Sequence, residues 1–185
     1  CVLFSYGCHP VIVYGYAWDG LSADFPGICR GMLCEALGPK VQTQFIQGLA
    51  GNIRPRLLAN LEKGCFERGT AESTAAVGCT LAEDVLRALQ LEGVHLKLDI
   101  RIASTWIMVE RDQQAWPLSY WATMGQSEDE MQQALGQYWL GRYTEGPPPV
   151  CSTPWEVGLI QLAPGHRIAF FSGEALAEWL PQLRR

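Results

Sequence analysis

The sequence predicts an α/β fold with a mixed sheet flanked by helices, and three observations carry that prediction. Strand-like and helix-like segments alternate through the first half of the chain. The stretch Val94 to Ile102 alternates apolar and polar residues, the two-residue period of a half-buried strand. Near the end, two strand-like runs flank Pro164-Gly165, as in a hairpin.

Taken in order, Val2 to Tyr6 (VLFSY) reads as a buried strand that enters the loop Gly7-Cys8-His9-Pro10. The uncharged run continues to Trp18 and reads as a second strand after that loop. A helix opens over Ser22 to Gly27, where Ser22 or Asp24 can cap it and Pro26 suits its first turn. Ile28, Met32, Leu33 and Leu37 mark its apolar face, and Gly38-Pro39 stops it. Val41 to Ile46 is the next strand, and it ends in the turn-rich segment Gln47 to Pro55 (QGLAGNIRP). A long helix runs from Thr70 to Leu91, with Gly93 behind it. Val94 to Ile102 is a strand that extends or bends towards Val109. Ser127 and Glu130 have the spacing of a capping box for a helix that reaches Leu140. Gly146 to Pro149 is a stiff connector. Glu156 to Ala163 and Arg167 to Ser172 form the hairpin, and a last helix starts near Ala175.

Composition narrows the function classes. The 185 residues suffice for one sizeable core. A net charge of −5 with scattered Lys and Arg argues against nucleic acid, because phosphate binding needs clustered cations. No apolar run approaches the roughly 18–20 residues of a membrane span, so no transmembrane segment is expected. Val2 to Trp18 lacks the basic start and cleavage pattern of a signal peptide. The seven cysteines form no CxxC pair and read as small buried hydrophobes. The chain opens on Cys1 and stops at Arg185 directly after a helix-like run, so it is expected to be an internal piece. Too few residues follow the proline connector for an independent domain. Residues 1–185 are therefore read as part of a single domain, truncated at both ends.

Ligands of α/β sheets collect at the carboxyl ends of strands. Three such ends carry polar residues in glycine-rich turns: His9 in GCHP, Asn52 and Arg54 in GLAGNIRP, and Glu174 in SGE. An imidazole and a carboxylate are zinc-ligand types, and a zinc ion acidifies water and polarises a carbonyl. Arg54 can donate hydrogen bonds to a substrate carbonyl or oxyanion, or it can pair with a neighbouring carboxylate. His95 and His166 read as solvated. Trp106, Trp116, Tyr120 and Trp121 read as core packing or as the lining of an acyl pocket.

Several of these segments resemble the neutral/alkaline non-lysosomal ceramidase family. FSYGCHP (Phe4 to Pro10) is similar to the family's strand ending in a His-Pro pair. Ser22-x-Asp24-x-x-Gly27 resembles its Ser-Gly-Asp-x-x-Gly segment. QGLAGNIRP resembles its Gly-Asp-Val-Ser-Pro loop, with Asn52 for aspartate and Arg54 for serine. Val157 to Glu174 resembles its late hairpin ending in Pro-Gly-Glu, with Ser172 for the proline. The likeness follows the same order over nearly the whole chain. It implies an incomplete ceramidase-like catalytic domain in which His9 and Glu174 ligate Zn2+. A further histidine would lie before Cys1 and a further tyrosine after Arg185.

The implied activity is zinc-dependent hydrolysis of the amide bond of an N-acyl lipid such as ceramide, by metal-activated water. Asn52 and Arg54 would line the oxyanion or substrate side. The implied partner is a small lipid substrate with membrane-surface contact, and the implied setting is secreted, cell-surface or periplasmic. The rivals are an inactive ceramidase-like binding domain and a hydrolase of a different amide or ester. A carbohydrate-directed hydrolase would need a second carboxylate near Glu174, with Asp24 as the candidate.

Overall fold

The computed structural model describes residues 1–17, 19–110, 116–144 and 152–183. Helices and strands are mixed along the chain, as the sequence predicts, but in place of one mixed sheet the described strands form three small sheets, and the chain gathers into two compact units. The first comprises Cys1–Asp99, Leu162–Pro164 and the segment from Glu174 onward; the second comprises Ile100–Gln161 and Gly165–Gly173. The expected proline connector lies outside the described residues.

In the first unit β1 (Val2–Tyr6) pairs in parallel with β2 (Thr43–Gln47), with Val2 opposite Thr43 and Tyr6 opposite Gln47. Parallel neighbours need a long crossover, and helix α1 (Asp24–Leu37) supplies it. Phe4 and Phe45 sit opposite each other and meet edge to face at 5.7 Å. Phe25 of α1 meets Tyr6 and Phe45 in the same edge-to-face manner. The core is closed by Ile12, Cys29, Leu33, Leu81 and Ala82. The buried stripe Phe25, Cys29, Leu33 has the four-residue spacing of one helix face. Cys8 and Cys29 are thus the small buried hydrophobes expected of them, and desolvation pushes both thiols up to about 11, Asp24 adding to the rise at Cys8. Cys1 and Cys65 are exposed instead.

Helix α2 (Ala71–Ala88) packs on α1. Its first turn is closed by a reciprocal box: Ser73 N–H donates to Thr70 Oγ1, and Thr70 N–H donates to Ser73 Oγ. The two helices meet at Gly78. A Cβ there would lie 2.7 Å from Ile28 Cβ and 3.0 Å from the Phe25 carbonyl oxygen. Gly78→Ala gains about 1 kcal/mol of helix propensity. Overpacking against a helix backbone costs about 1–3 kcal/mol, so the substitution is expected to be net destabilising. A lower urea midpoint at unchanged slope would show this; a raised midpoint would mean that the helices separate freely.

A short antiparallel pair, β3 (Ala59–Asn60) with β4 (Cys65–Phe66), precedes α2. The second unit is built on β5 (Arg101–Glu110), which pairs antiparallel with β6 (Ser152–Ala163), with β7 (His166–Phe171) on the far side of β6. Gly165 turns the β6–β7 hairpin at φ 82°, a backbone angle that favours glycine. Helices α3 (Leu118–Met124) and α4 (Glu130–Thr144) pack together through Trp121, which is buried and stacked on Trp139. Core packing is therefore the role of Trp121, whereas Trp106 is 64% exposed.

Four expectations need correction. The run after His9 is not a strand: Val13–Gly15 forms a 3-10 turn, because the Asp24 carboxylate captures the Val13 N–H at 2.7 Å. Val94 to Ile100 forms no ladder despite its alternation, and the strand begins at Arg101. The β5–β6 register explains this. Arg101 faces Gln161, and Asp99 N–H still reaches Leu162 O, but β6 ends at Ala163 and the turn follows. Residues before Asp99 have no β6 residue left to pair with.

At α4 the cap is displaced by two residues. Asp129 Oδ1 accepts the Gln132 N–H at 2.9 Å, while Ser127 Oγ accepts the Asp129 N–H. The last helix starts later than Ala175, as a 3-10 turn at Ala177–Trp179 followed by α5 (Leu180–Leu183). Asn52 takes the Ala177 N–H there, in place of a helical bond.

Candidate functional site

The parallel pair β1–β2 sends two loops from the same edge of the sheet: Gly7 to Pro10 after β1 and Gly48 to Pro55 after β2. They are fastened at three points. Gln47 Nε2 donates to the Cys8 carbonyl at 3.2 Å, and His9 N–H donates to the Ile53 carbonyl at 3.0 Å. Gly48 lies so close to Gly7 that a Cβ on it would be 2.9 Å from the Gly7 nitrogen. Glycine at this point lets the two backbones touch.

The segment after β7 joins the same edge. Gly51 N–H donates to the Ala175 carbonyl at 3.0 Å, and a Gly51 Cβ would be 3.0 Å from the carbonyl oxygens of Glu174 and Ala175. Asn52 completes the seam. Its Nδ2 donates to both carboxylate oxygens of Glu178, at 2.7 and 3.0 Å, and its Oδ1 accepts the Ala177 N–H at 3.1 Å.

These backbone contacts bring His9 and Glu174, far apart in sequence, to an Nε2–Oε2 distance of 3.6 Å. The His9 side chain is 23% exposed and that of Glu174 75% exposed, so the pair faces solvent at the mouth of the edge. Both atoms are zinc-ligand types. Tetrahedral ligand atoms bound at about 2.0–2.2 Å stand about 3.3–3.6 Å from one another, which the observed pair matches. The two residues therefore fit one zinc ion. Among the described residues no group of three or more His, Cys, Asp and Glu could hold a metal, so these two are the donors this part of the chain offers.

No family model, curated protein or solved structure matches the chain.

Of the four residues singled out from sequence, His9, Glu174 and Asn52 are drawn into one seam, and Arg54 follows directly in the same loop. Asn52 is exposed, and its side chain is engaged by Glu178 and the Ala177 N–H, so it holds the segment after Glu174. Arg54 is exposed, with its guanidinium carbon 5.6 Å from the centroid of the Phe66 ring. Asp24 does not approach Glu174 as a second carboxylate; both its oxygens bind backbone amides, of Val13 and Phe25. Gln47, Phe66 and Glu178 were not foreseen.

An apolar cleft of about 440 Å3 adjoins both site loops in sequence, lined by Tyr6, Pro55, Leu57, Val77 and Leu81, with Arg56 and Asp84 among its charged residues. A larger cleft of about 780 Å3 is lined by Cys1, Pro10, Gln42 and Thr43. Its charged groups, Asp24 and Arg30, are bound to backbone.

The Asn52 seam gives a direct expectation. Asn52→Ala removes the three hydrogen bonds that hold Ala177 and Glu178. A net loss of about 1 kcal/mol should speed amide exchange at Ala177 by about fivefold. Unchanged exchange would mean that Gly51 and Ala175 hold the segment without Asn52.

Proposed function

We propose that this chain supplies the histidine and glutamate of a zinc site in a hydrolase that cleaves the amide bond of an N-acyl lipid such as ceramide. The observation behind it is the approach of His9 to Glu174 across an edge built from the ends of two parallel strands. The ceramidase resemblance singles out the same two residues, and it supplies the lipid class and the expectation of export and membrane-surface contact. Within the described residues no helix is long and apolar enough to cross a membrane.

A zinc ion held there supplies a Lewis acid that acidifies water and polarises the amide carbonyl. The chain's own groups do the rest. His9 is fixed through its backbone to Ile53, and Glu174 through Ala175 to Gly51. Asn52 holds the Glu174 segment by way of Glu178. The apolar cleft beside Tyr6 and Pro55 has the size and lining for an acyl chain. In the reaction the water oxygen bonds to the acyl carbon, the C–N bond breaks, and the nitrogen leaves with a proton. The products are a fatty acid and an amine.

The decisive experiment is fatty-acid release from a short-chain ceramide by the full-length protein, with and without a zinc chelator. Release that the chelator stops and added zinc restores is the expected result. No release from any N-acyl substrate, with zinc bound and the fold intact, would leave a domain that binds such lipids without cleaving them.

A further inference from the structure

Arg54 stands in the loop that backs His9, since the carbonyl of its neighbour Ile53 accepts the His9 N–H. It is exposed, and none of the ion pairs among the described residues includes it. Two acids of its surroundings, Glu67 and Glu178, are engaged by other groups. Glu67, next to Phe66, accepts from Lys63 at 2.9 Å and from Asn60 at 2.7 Å. Glu178 accepts twice from Asn52. The bond that Arg54 does make is to the π-face of Phe66.

Cation–π attraction to a ring uses none of the lone-pair acceptors that a guanidinium fork is built to bind, so the N–H groups of Arg54 keep their demand for a planar acceptor. Carboxylates are matched by that fork in two parallel hydrogen bonds. A cation held by an aromatic ring in the loop that backs His9, with Glu67 and Glu178 otherwise engaged, is arranged for a negative charge that arrives with the substrate.

We infer that Arg54, braced on Phe66, is a specificity-determining residue that recognises a carboxylate on the amine side of the scissile amide, so that the substrate class is N-acyl amino acids. This rests on the hydrolase reading. The acyl chain takes the apolar cleft, and the carboxylate takes Arg54. Water adds to the acyl carbon, the C–N bond breaks, the nitrogen gains a proton, and a fatty acid and an amino acid are released.

The test compares N-lauroylglycine with N-lauroylethanolamine, a neutral analogue of the same length, in the full-length protein. Wild type should favour the carboxylate in kcat/KM by roughly ten- to a hundredfold, the usual worth of hydrogen bonds to charged groups. In Arg54→Gln the ratio should fall towards one, mostly through KM, and Arg54→Lys should restore only part of it because it lacks the fork. Equal rates on both substrates, or a ratio unchanged in Arg54→Gln, would overturn the proposal.

A second readout needs no turnover: calorimetric binding of N-lauroylglycine to the His9→Ala protein, with and without Arg54→Gln. Arg54-dependent binding without hydrolysis of any amide would sink the hydrolase reading and keep the carboxylate site. Hydrolysis without discrimination would do the reverse. Absence of both would remove both.

Discussion

His9→Ala and Glu174→Ala should each lower bound zinc and reduce amide hydrolysis by more than a hundredfold in the full-length protein. Loss of an outer partner of a metal ligand typically costs about 10- to 100-fold in affinity or activity, and a ligand itself contributes more. Both donors stand on backbone fixed from elsewhere: His9 through Ile53, and Glu174 through the Gly51–Ala175 bond. Removing either side chain should therefore leave the fold standing. The two losses should also fail to add. Once one ligand is gone the site no longer holds the ion, and the double variant should resemble the worse of the two single variants. Zinc content measured beside fatty-acid release separates the alternatives. Full zinc with lost activity would assign the pair to proton transfer rather than to the metal. Full zinc with full activity would remove both residues from the site.

What could be read from sequence follows from what each signal encodes. The β1–loop–α1–β2 order was legible because apolar runs, a proline-bearing helix start and Gly38-Pro39 are all local in their physics. The hairpin at Pro164-Gly165 was legible because proline pre-sets the first turn residue and glycine tolerates the positive φ of the second, which Gly165 adopts. Val94 to Ile102 misled because alternation reports faces, not partners; the partner strand ends at Ala163, and that limit is written in β6. His9, Glu174 and Asn52 were found as polar residues at strand ends, and the seam joins them. Their division of labour was not legible. Asn52 acquires its role from Glu178, and Arg54 its brace from Phe66; each depends on a loop closure of many residues. Asp24 resembled a helix cap. Its true partner on the far side, the Val13 amide, could only be seen once the chain had turned back.

Asp24→Ala should be among the most destabilising substitutions in the first unit, at about 3–4 kcal/mol. Asp24 is 7% exposed and clasps two amides: Oδ2 accepts the Val13 N–H at 2.7 Å and Oδ1 the Phe25 N–H at 2.6 Å. Hydrogen bonds to a charged acceptor contribute about 1.5–3 kcal/mol each, and an amide left buried without a partner adds to the loss. The backbone makes alanine worse still. Asp24 has φ of 50°, a conformation that aspartate and asparagine tolerate and that costs other residues about 1–2 kcal/mol. Asparagine at this site keeps the backbone preference but has one acceptor oxygen for two amides, so Asp24→Asn should lose about 2 kcal/mol. For a chain of this length 1 kcal/mol lowers Tm by about 2–4 °C, which makes the two substitutions separable by thermal melting. The damage should also reach the site. The Val13 amide anchors the turn that follows His9, and Val11 N–H bonds to the His9 carbonyl. Weaker zinc retention is therefore expected in Asp24→Asn even where the protein remains folded. A melting point within 2 °C of wild type for Asp24→Ala would show that Val13 finds another acceptor and that the carboxylate is not the clasp. Normal zinc retention in a destabilised Asp24→Asn would confine its role to the fold.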